Sequence, residues 1–162
     1  MKRACIAIVD GATARLYSYE LLDGEAPRLE EQKTLENALA RQKDEEAFSN
    51  TKPGSRFQEG GRGSTDDHRN AQRAQHSTLF AREIIDECAR VAKDLAIGHV
   101  ILISSPKMLG ALRQYEDQLT KVGIAIDEIQ RDLTNLSGAQ LHDHLASMNV
   151  VEPRERLGFA RR

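Results

Sequence analysis

Two short apolar runs constrain the fold of this 162-residue chain more strongly than any other feature of its sequence. Residues 4–9 are apolar throughout, and residues 99–104 contain four consecutive valine, isoleucine and leucine residues. Strands that are buried on both faces have this composition, because the side chains on either side of the strand then meet a core. The sequence therefore predicts two buried strands.

Short turn signals join the first of these strands to two others. Asp-Gly pairs at 10–11 and 23–24 are typical of turns, and they bound a β-favouring run at 13–22. The next run, 28–35, alternates only weakly and is mostly polar, as an edge strand is. Three successive strands with short turns predict an antiparallel meander.

One long helical pattern extends from 66 to 96. Apolar residues recur at three- and four-residue steps from Phe80 to Leu95, which predicts that one face is buried. The segment 66–76 offers only two alanines as apolar surface, so we expect the first part of the helix to project beyond its domain. Gly98 is expected to cap the end of the helix.

The rest of the chain alternates helix and strand. Pro106 begins a helix that the apolar pattern extends to Gly123, and 124–129 alternates as a short strand. Ser137 and Gln140 have the spacing of a capping box at the start of a last helix. The predicted order is βββαβαβα, which gives a single α/β domain. Helices pack on its mixed five-stranded sheet of ribonuclease H-like topology, and a long loop precedes the longest helix.

The chain divides into one domain, 1–148, and a polar tail, 149–162, which has four arginines and is expected to hang free. Within the domain, residues 36–65 include four glycines and few large apolar residues. A loop of this length in a compact domain is either functional or disordered. We expect it to be mobile, because little apolar area offsets the entropy of ordering it.

Charge and cysteine content restrict the partners and the compartment. The formal net charge is −2, so no global field attracts nucleic acid, and any such binding needs a local patch. Cys5 and Cys88 both lie in apolar segments, which favours a reducing compartment. No run approaches the roughly 20 apolar residues that span a bilayer, and the first apolar run is too short for a signal peptide. We expect a cytoplasmic protein that binds neither membrane nor DNA.

Several stretches together resemble one family of bacterial proteins. They are Asp10-Gly11 followed by Ala14-Arg15-Leu16-Tyr17, the helix from His68 to Val91, the stretch Ser105-Pro106-Lys107-Met108-Leu109-Gly110-Ala111-Leu112-Arg113, and Asp132-Leu133-Thr134. On these residues the chain resembles the bacterial host-attachment protein family, whose members are described as required for attachment to host cells. That family resembles in turn the middle domain of archaeal and eukaryotic translation release factors and of the ribosome-rescue factor Pelota.

The resemblance implies a role for the glycine-rich loop before the long helix. In release factors this loop has Gly-Gly-Gln and reaches the peptidyl transferase centre, and Gly60-Gly61-Arg62 stands at the corresponding place here. A guanidinium has donors only, so Arg62 cannot supply the acceptor of a glutamine amide. The resemblance therefore implies a non-enzymatic cytoplasmic protein that acts through RNA or the ribosome, with the ribosome or a tRNA as its partner.

The predicted RNA-contact surface combines this loop with the start of the long helix, since cationic side chains pair with phosphate and glycine permits close approach. It consists of Lys52, Arg56, Gly60, Gly61, Arg62, Gly63, Arg69 and Arg73. A solvated loop and a charged helix face would have the same composition, because Glu59, Asp66 and Asp67 dilute the positive charge.

Other functions stay open as alternatives. They are peptidyl-tRNA hydrolysis or RNA cleavage by the loop, a plain protein-interaction module, and a direct attachment factor.

Asp10 stands where nucleases of this topology hold a metal, but no carboxylate follows the fourth strand, so we interpret it as a turn residue. Asp132-Leu133-Thr134 is expected to organise a turn, with a binding role open. No histidine or cysteine spacing indicates a metal or cofactor site, and the sequence does not determine the oligomeric state.

Overall fold

Five strands and four helices make up the computed structural model, which describes residues 2–38 and 64–154, except for the side chains of 64–74. The strands are β1 (Lys2–Val9), β2 (Thr13–Leu21), β3 (Arg28–Glu36), β4 (His99–Ser104) and β5 (Ala125–Gln130). The helices are α1 (Ser64–Asp94), α2 (Pro106–Arg113), α3 (Asp117–Thr120) and α4 (Gly138–Ser147).

The five strands form one mixed sheet in the order β3-β2-β1-β4-β5. β1 pairs antiparallel with β2, and β2 pairs antiparallel with β3. On its other side β1 pairs parallel with β4, which in turn pairs parallel with β5. The predicted mixed five-stranded sheet is therefore confirmed, and the mostly polar β3 lies at its edge.

β1 is buried on both faces, as its apolar sequence predicts. One face, with Cys5, Ala7 and Val9, packs in a core formed with α1, α2 and α3. The opposite face, with Ile6 and Ile8, packs in a second core that includes apolar residues of α4. Helices thus cover the sheet from both sides.

The described side chains of α1, 75–94, enter the first core in the second half of the helix. Its first buried side chain is Phe80 and its last is Ala92, among the side chains of α1 that are described. Leu95, which the sequence places on the apolar face, lies beyond the end of the helix and is 38% exposed. Within the described ranges, none of the helices, α1 included, combines the length and the apolarity that would allow it to cross a bilayer.

α1 also ends without the predicted glycine cap. Ala96 has a φ of 52°, and its N–H donates to the carbonyl of Lys93 at 3.3 Å. The next N–H, of Ile97, donates to the carbonyl of Ala92 at 2.7 Å. These two bonds form a Schellman C-cap whose left-handed residue is Ala96 rather than Gly98. The chain turns early because the turn buries Ile97 against the first core.

The crossover from β4 to β5 contains two helices, so the predicted single helix from Pro106 to Gly123 is wrong. After α2, the N–H of Gln114 donates to Ala111 at 3.3 Å and the N–H of Tyr115 donates to Leu112 at 3.0 Å. Such three-residue bonds tighten the chain into a turn before α3. The turn lets residues of both helices, Leu112 and Leu119 among them, reach the same core.

α4 begins with the predicted capping box. The N–H of Gln140 donates to Ser137 Oγ at 3.3 Å, and the N–H of Ser137 donates to Gln140 Oε1 at 3.0 Å. These reciprocal bonds satisfy donors that the first turn of a helix leaves unpaired. The capping box is therefore confirmed.

The chain after α4 packs back on the sheet as far as it is described. Val151 is buried in the second core, and the N–H of Glu152 donates to the hydroxyl of Tyr19 at 3.0 Å. His142 Nε2 lies 2.9 Å from the carbonyl oxygen of Glu152. The expectation that the tail hangs free from residue 149 is wrong for 149–154, because Val151 contributes apolar burial. Residues 39–63 and 155–162 lie outside the described residues.

The C-cap of α1 can be tested with a pair of complementary substitutions. Ala96→Gly should raise the free energy of unfolding by about 0.5 to 1 kcal/mol, because glycine adopts a positive φ without the steric cost that alanine pays. Gly98→Ala should not lower it, since its φ is not positive and an added Cβ meets nothing within 4 Å. Urea denaturation measures both values. If Gly98→Ala lowered the free energy of unfolding and Ala96→Gly did not raise it, Gly98 would be the cap instead of Ala96.

Candidate functional site

The carboxyl ends of β1, β4 and β5 lie at one edge of the sheet, because these three strands are parallel. Ligands of open α/β sheets bind outside this edge, where neighbouring connections leave in opposite directions. Here β1 connects to β2 on one side, and β4 connects through α2 and α3 to β5 on the other. We call the residues that follow β1, β4 and β5 at this edge, namely 10–12, 105–107 and 131–134, the carboxyl edge.

Asp10 shapes the turn that follows β1. Its Oδ1 accepts hydrogen bonds from the N–H of Ala12 at 2.7 Å and from the N–H of Thr13 at 2.6 Å. The hydroxyl of Thr13 lies 3.3 Å from the same oxygen. The interpretation of Asp10 as a turn residue is confirmed, and one oxygen of its carboxylate serves the turn.

Two consecutive serines fix the end of β4. Ser104 is fully buried, and its hydroxyl donates to the carbonyl of Val9 at 2.7 Å, which joins the ends of β1 and β4. Ser105 is the N-cap of α2, with its Oγ 3.4 Å from the N–H of Met108. Pro106 occupies the first turn of α2, as predicted. Both serine hydroxyls thus serve the backbone around the carboxyl edge.

Arg15 ties β2 to the segment that follows β5. Its Nη2 donates to the carbonyl oxygens of Thr134 and Leu136 at 2.8 Å each, and Leu133 O lies 3.4 Å away. Asp132 Oδ1 accepts from the hydroxyl of Thr134 at 2.8 Å. The predicted turn role of Asp132-Leu133-Thr134 is therefore confirmed, and a guanidinium fixes the turn from the opposite side.

The ring of Tyr17 packs against the guanidinium of Arg15. The guanidinium carbon lies 5.7 Å from the centre of the Tyr17 ring, within the range of a cation–π contact. Burial raises the pKa of the Tyr17 hydroxyl, and the charge of Arg15 acts in the opposite direction. The family-like stretch Ala14-Arg15-Leu16-Tyr17 thus holds a structural link between two distant parts of the chain.

Lys107 and Arg131 supply positive charge at the carboxyl edge. Both side chains are exposed, and neither has an ion-pair partner among residues 2–38 and 75–154, whose side chains are described. The N–H of Arg131 donates to the carbonyl of Ser104 at 3.1 Å, which places it beside the first turn of α2, where Lys107 lies. The positive end of the helix dipole adds to these charges. This arrangement can attract an anion such as a phosphate group.

Within the described ranges, no group of three or more His, Cys, Asp or Glu side chains has the arrangement of a metal site. The carboxylates nearest the carboxyl edge, Asp10 and Asp132, bond instead to the turns that they shape. In the described part of this edge, the exposed charged side chains that do not shape a turn are therefore the cations Lys107 and Arg131.

α1 extends past the carboxyl edge. β3 ends at this edge and β4 begins at the opposite one, so α1, which connects them, starts on the side of the carboxyl edge. Its 31 residues are about 46 Å long at 1.5 Å per residue, whereas the 8 residues of β1 span about 26 Å. The surplus of about 20 Å belongs to the start of the helix. We call residues 64–75 the helical arm.

The predicted RNA-contact residues fall in or before this arm. Arg69 and Arg73 lie in α1, where the backbone is described and the side chains are not. The other six, namely Lys52, Arg56, Gly60, Gly61, Arg62 and Gly63, lie outside the described residues. This set therefore stays a prediction.

The sequence reasoning missed Lys107 and Arg131 as candidates. Each follows a strand closely, and parallel strands bring their carboxyl ends together. The signal that could have identified both residues is their position shortly after a predicted parallel strand. That signal would also have identified Asp10 and Asp132, which shape turns.

Comparison with protein families places the chain in a described family. The family model described as "Protein required for attachment to host cells" matches residues 5–145 of the chain. The matched range covers most of β1, all of β2 to β5, α1, α2 and α3, and most of α4. No curated protein matches the chain.

Removal of Arg15 tests the structural role of the family-like stretches. Arg15→Ala should lower the free energy of unfolding by about 1.5 to 3 kcal/mol, because carbonyl groups after β5 lose a charged donor. Arg131→Ala is the matched control, since it removes an exposed arginine near the same edge and should change stability by no more than about 0.5 kcal/mol. Thermal and urea unfolding measure both. Equal, small losses would show that Arg15 does not hold the turn.

Proposed function

The chain belongs to the family of proteins required for attachment to host cells, and we propose that it acts in the cytoplasm as a non-enzymatic factor that binds RNA on the ribosome. Its effect on attachment is then indirect, through the synthesis of other proteins. The helical arm and the carboxyl edge together form the RNA-binding surface.

The observation behind this proposal is the surplus length of α1. A helix that only covered the sheet would need about 17 residues to match the 26 Å of β1, and α1 has 31. Among the described side chains of α1, which begin at residue 75, the first in the core is Phe80. An extension of this kind on a small domain suits insertion into a large partner such as a ribosome.

Charge supports an RNA partner. Arg69 and Arg73 are one helical turn apart in the arm, and Lys107 and Arg131 lie at the edge from which the arm projects. Lysine and arginine bind phosphate without reading base identity, so this surface would recognise the RNA backbone. The glycine-rich segment that ends at Gly63 directly precedes the arm in the sequence, and glycine permits close backbone approach to RNA.

We also propose that the fold is of the ribonuclease H-like type and related to the middle domain of release factors and Pelota. The support is the mixed sheet with a long helix that begins after a glycine-rich segment. In that comparison Arg62 replaces the glutamine that helps water cleave peptidyl-tRNA. Because arginine has no acceptor, the proposed role is binding rather than hydrolysis.

The arm variant Arg69→Ala with Arg73→Ala tests the proposal. It should weaken binding to purified ribosomes and reduce the slope of log K against log salt concentration by about 2, roughly one for each lost phosphate contact. The loss should be similar for unrelated RNA sequences. Co-sedimentation at several salt concentrations measures both effects.

The matched control is Arg82→Ala with Lys93→Ala. These side chains are exposed on the half of α1 that covers the sheet, and their removal changes the net charge by the same amount. The control should keep the wild-type slope, whereas Lys107→Ala with Arg131→Ala should reduce it. If the arm variant binds as the wild type does, the arm does not contact RNA. Fractionation that places the native protein chiefly outside the cell would favour a direct attachment factor instead.

A further inference from the structure

Arg113, Glu116 and Glu128 form a cluster where the turn between α2 and α3 meets the edge strand β5. Arg113 ends α2, Glu116 directly precedes α3, and Glu128 lies within β5. Arg113 Nε lies 2.9 and 3.0 Å from the two carboxylate oxygens of Glu128, and its Nη2 contacts the second of these oxygens. A guanidinium fork on both oxygens holds the Glu128 carboxylate in its ionised form.

Glu116 has a buried carboxyl oxygen that needs an explanation. No donor in the described part of the chain reaches its Oε1, which is inaccessible to solvent. The side chain of Glu116 is in hydrogen-bonding contact with Glu128. Ionised carboxylates have only acceptors, so a hydrogen bond between two of them requires a proton on one. Since Arg113 keeps Glu128 ionised, the proton belongs on Glu116.

We propose that the protonated Glu116 is a pH-sensitive latch that holds the turn between α2 and α3 against β5. With the proton, Glu116 donates to Glu128 and completes the chain Arg113–Glu128–Glu116. Without it, two carboxylates face each other and one has a buried oxygen, so the turn loosens from the strand. The inference is independent of the proposed function, because the latch uses none of the residues of the arm or the carboxyl edge.

The elements around Glu116 set the pH at which the latch opens. Burial is the largest cause, and together with the hydrogen bond to Glu128 it raises the pKa of Glu116 to about 7. Asp117 on α3 acts in the same direction and Arg113 on α2 acts against it. The hydrogen bond from Arg113 lowers the pKa of Glu128 from its ordinary value. The two pKa values are thus moved apart, as in carboxyl pairs that share one proton.

The raised pKa of Glu116 and the lowered pKa of Glu128 determine how the stability of the fold changes with pH. Between the ordinary pKa of 4.5 and about 7, the folded chain holds a proton on Glu116 that the unfolded chain has released. The contribution of Glu116 to the free energy of unfolding therefore falls as the pH rises through this window. Glu128 acts in the opposite sense only below 4.5, because its pKa is lowered. The latch therefore holds the turn most firmly at low pH and weakens as the pH rises through about 7.

The proton can be located by NMR titration of the glutamate side-chain carboxyl carbons in the whole chain. We expect one glutamate to titrate near pH 7, and this titration to be absent in Glu116→Gln. The carbon signal of Glu128 should move in the same step, because the two groups are coupled. Titration of every glutamate below about pH 5.5 would overturn the proposal, since pKa values of ordinary glutamates lie near 4.2 with a spread of about one unit.

Opening of the latch can be measured by amide hydrogen exchange in residues 114–130, corrected for the intrinsic effect of pH. From one unit below to one unit above the pKa, the deprotonated fraction of Glu116 rises from about one tenth to about nine tenths, and each deprotonated molecule opens more readily. Exchange in this segment should rise several-fold, while exchange in β1 should not. In Glu116→Gln, whose amide can still donate to Glu128 but cannot ionise, the rise should vanish.

The matched control is Asp117→Asn, which removes the neighbouring exposed carboxylate and leaves the pair intact. It should keep the pH-dependent exchange, with a slightly lower midpoint because one repulsive charge is lost. If wild type and Glu116→Gln show the same pH dependence of exchange, the proton does not hold the turn and the latch is excluded.

Discussion

Burial of β1 on both faces is the constraint on which the rest of this structure depends. Residues 4–9 supply side chains to two separate cores, one under α1, α2 and α3 and the other under α4. Helices cover both faces of β1, and its two sides pair with β2 and β4, so β1 lies at the centre of the sheet. A charged residue at any of the positions 4–9 would be buried in one of the two cores. Polar residues that position the chain are therefore found at the ends of the buried strands, where Asp10 and Ser104 make their hydrogen bonds.

This placement separates the structural residues from the candidate binding residues. At the carboxyl edge, Asp10, Arg15 and Asp132 bond to the turns around them, and the exposed cations Lys107 and Arg131 have no ion-pair partner among the described residues. Several of the stretches by which the chain resembles its family thus stabilise the fold. α1 is the exception, because it is about 20 Å longer than the strand that it covers. A family resemblance based on turn residues identifies the fold, whereas the function has to be sought in the surface that the turns leave exposed.

The sequence predicts those elements whose cause is local. The apolar composition of β1 and β4, the polar composition of β3 and the capping box of Ser137 and Gln140 need no knowledge of distant residues. Tertiary packing decides the rest. Ala96 takes a positive φ despite its side chain, because the turn there buries Ile97. The helix after Pro106 breaks at Gln114 so that two short helices reach one core, and Val151 returns to the sheet beside α4. The pairing of Glu116 with Glu128, and of Arg15 with residues 133–136, depends on chain crossings that no local pattern contains.

The central claim is that the helical arm of α1 contacts RNA while the other half of the same helix covers the sheet. Photo-crosslinking on intact ribosomes measures this directly, with a benzophenone amino acid placed either at Gln72 in the arm or at Asp86, which is exposed on the half that covers the sheet. The account predicts crosslinks to ribosomal RNA from position 72 and none from position 86. Crosslinks to RNA from neither position, or equally from both, would contradict it.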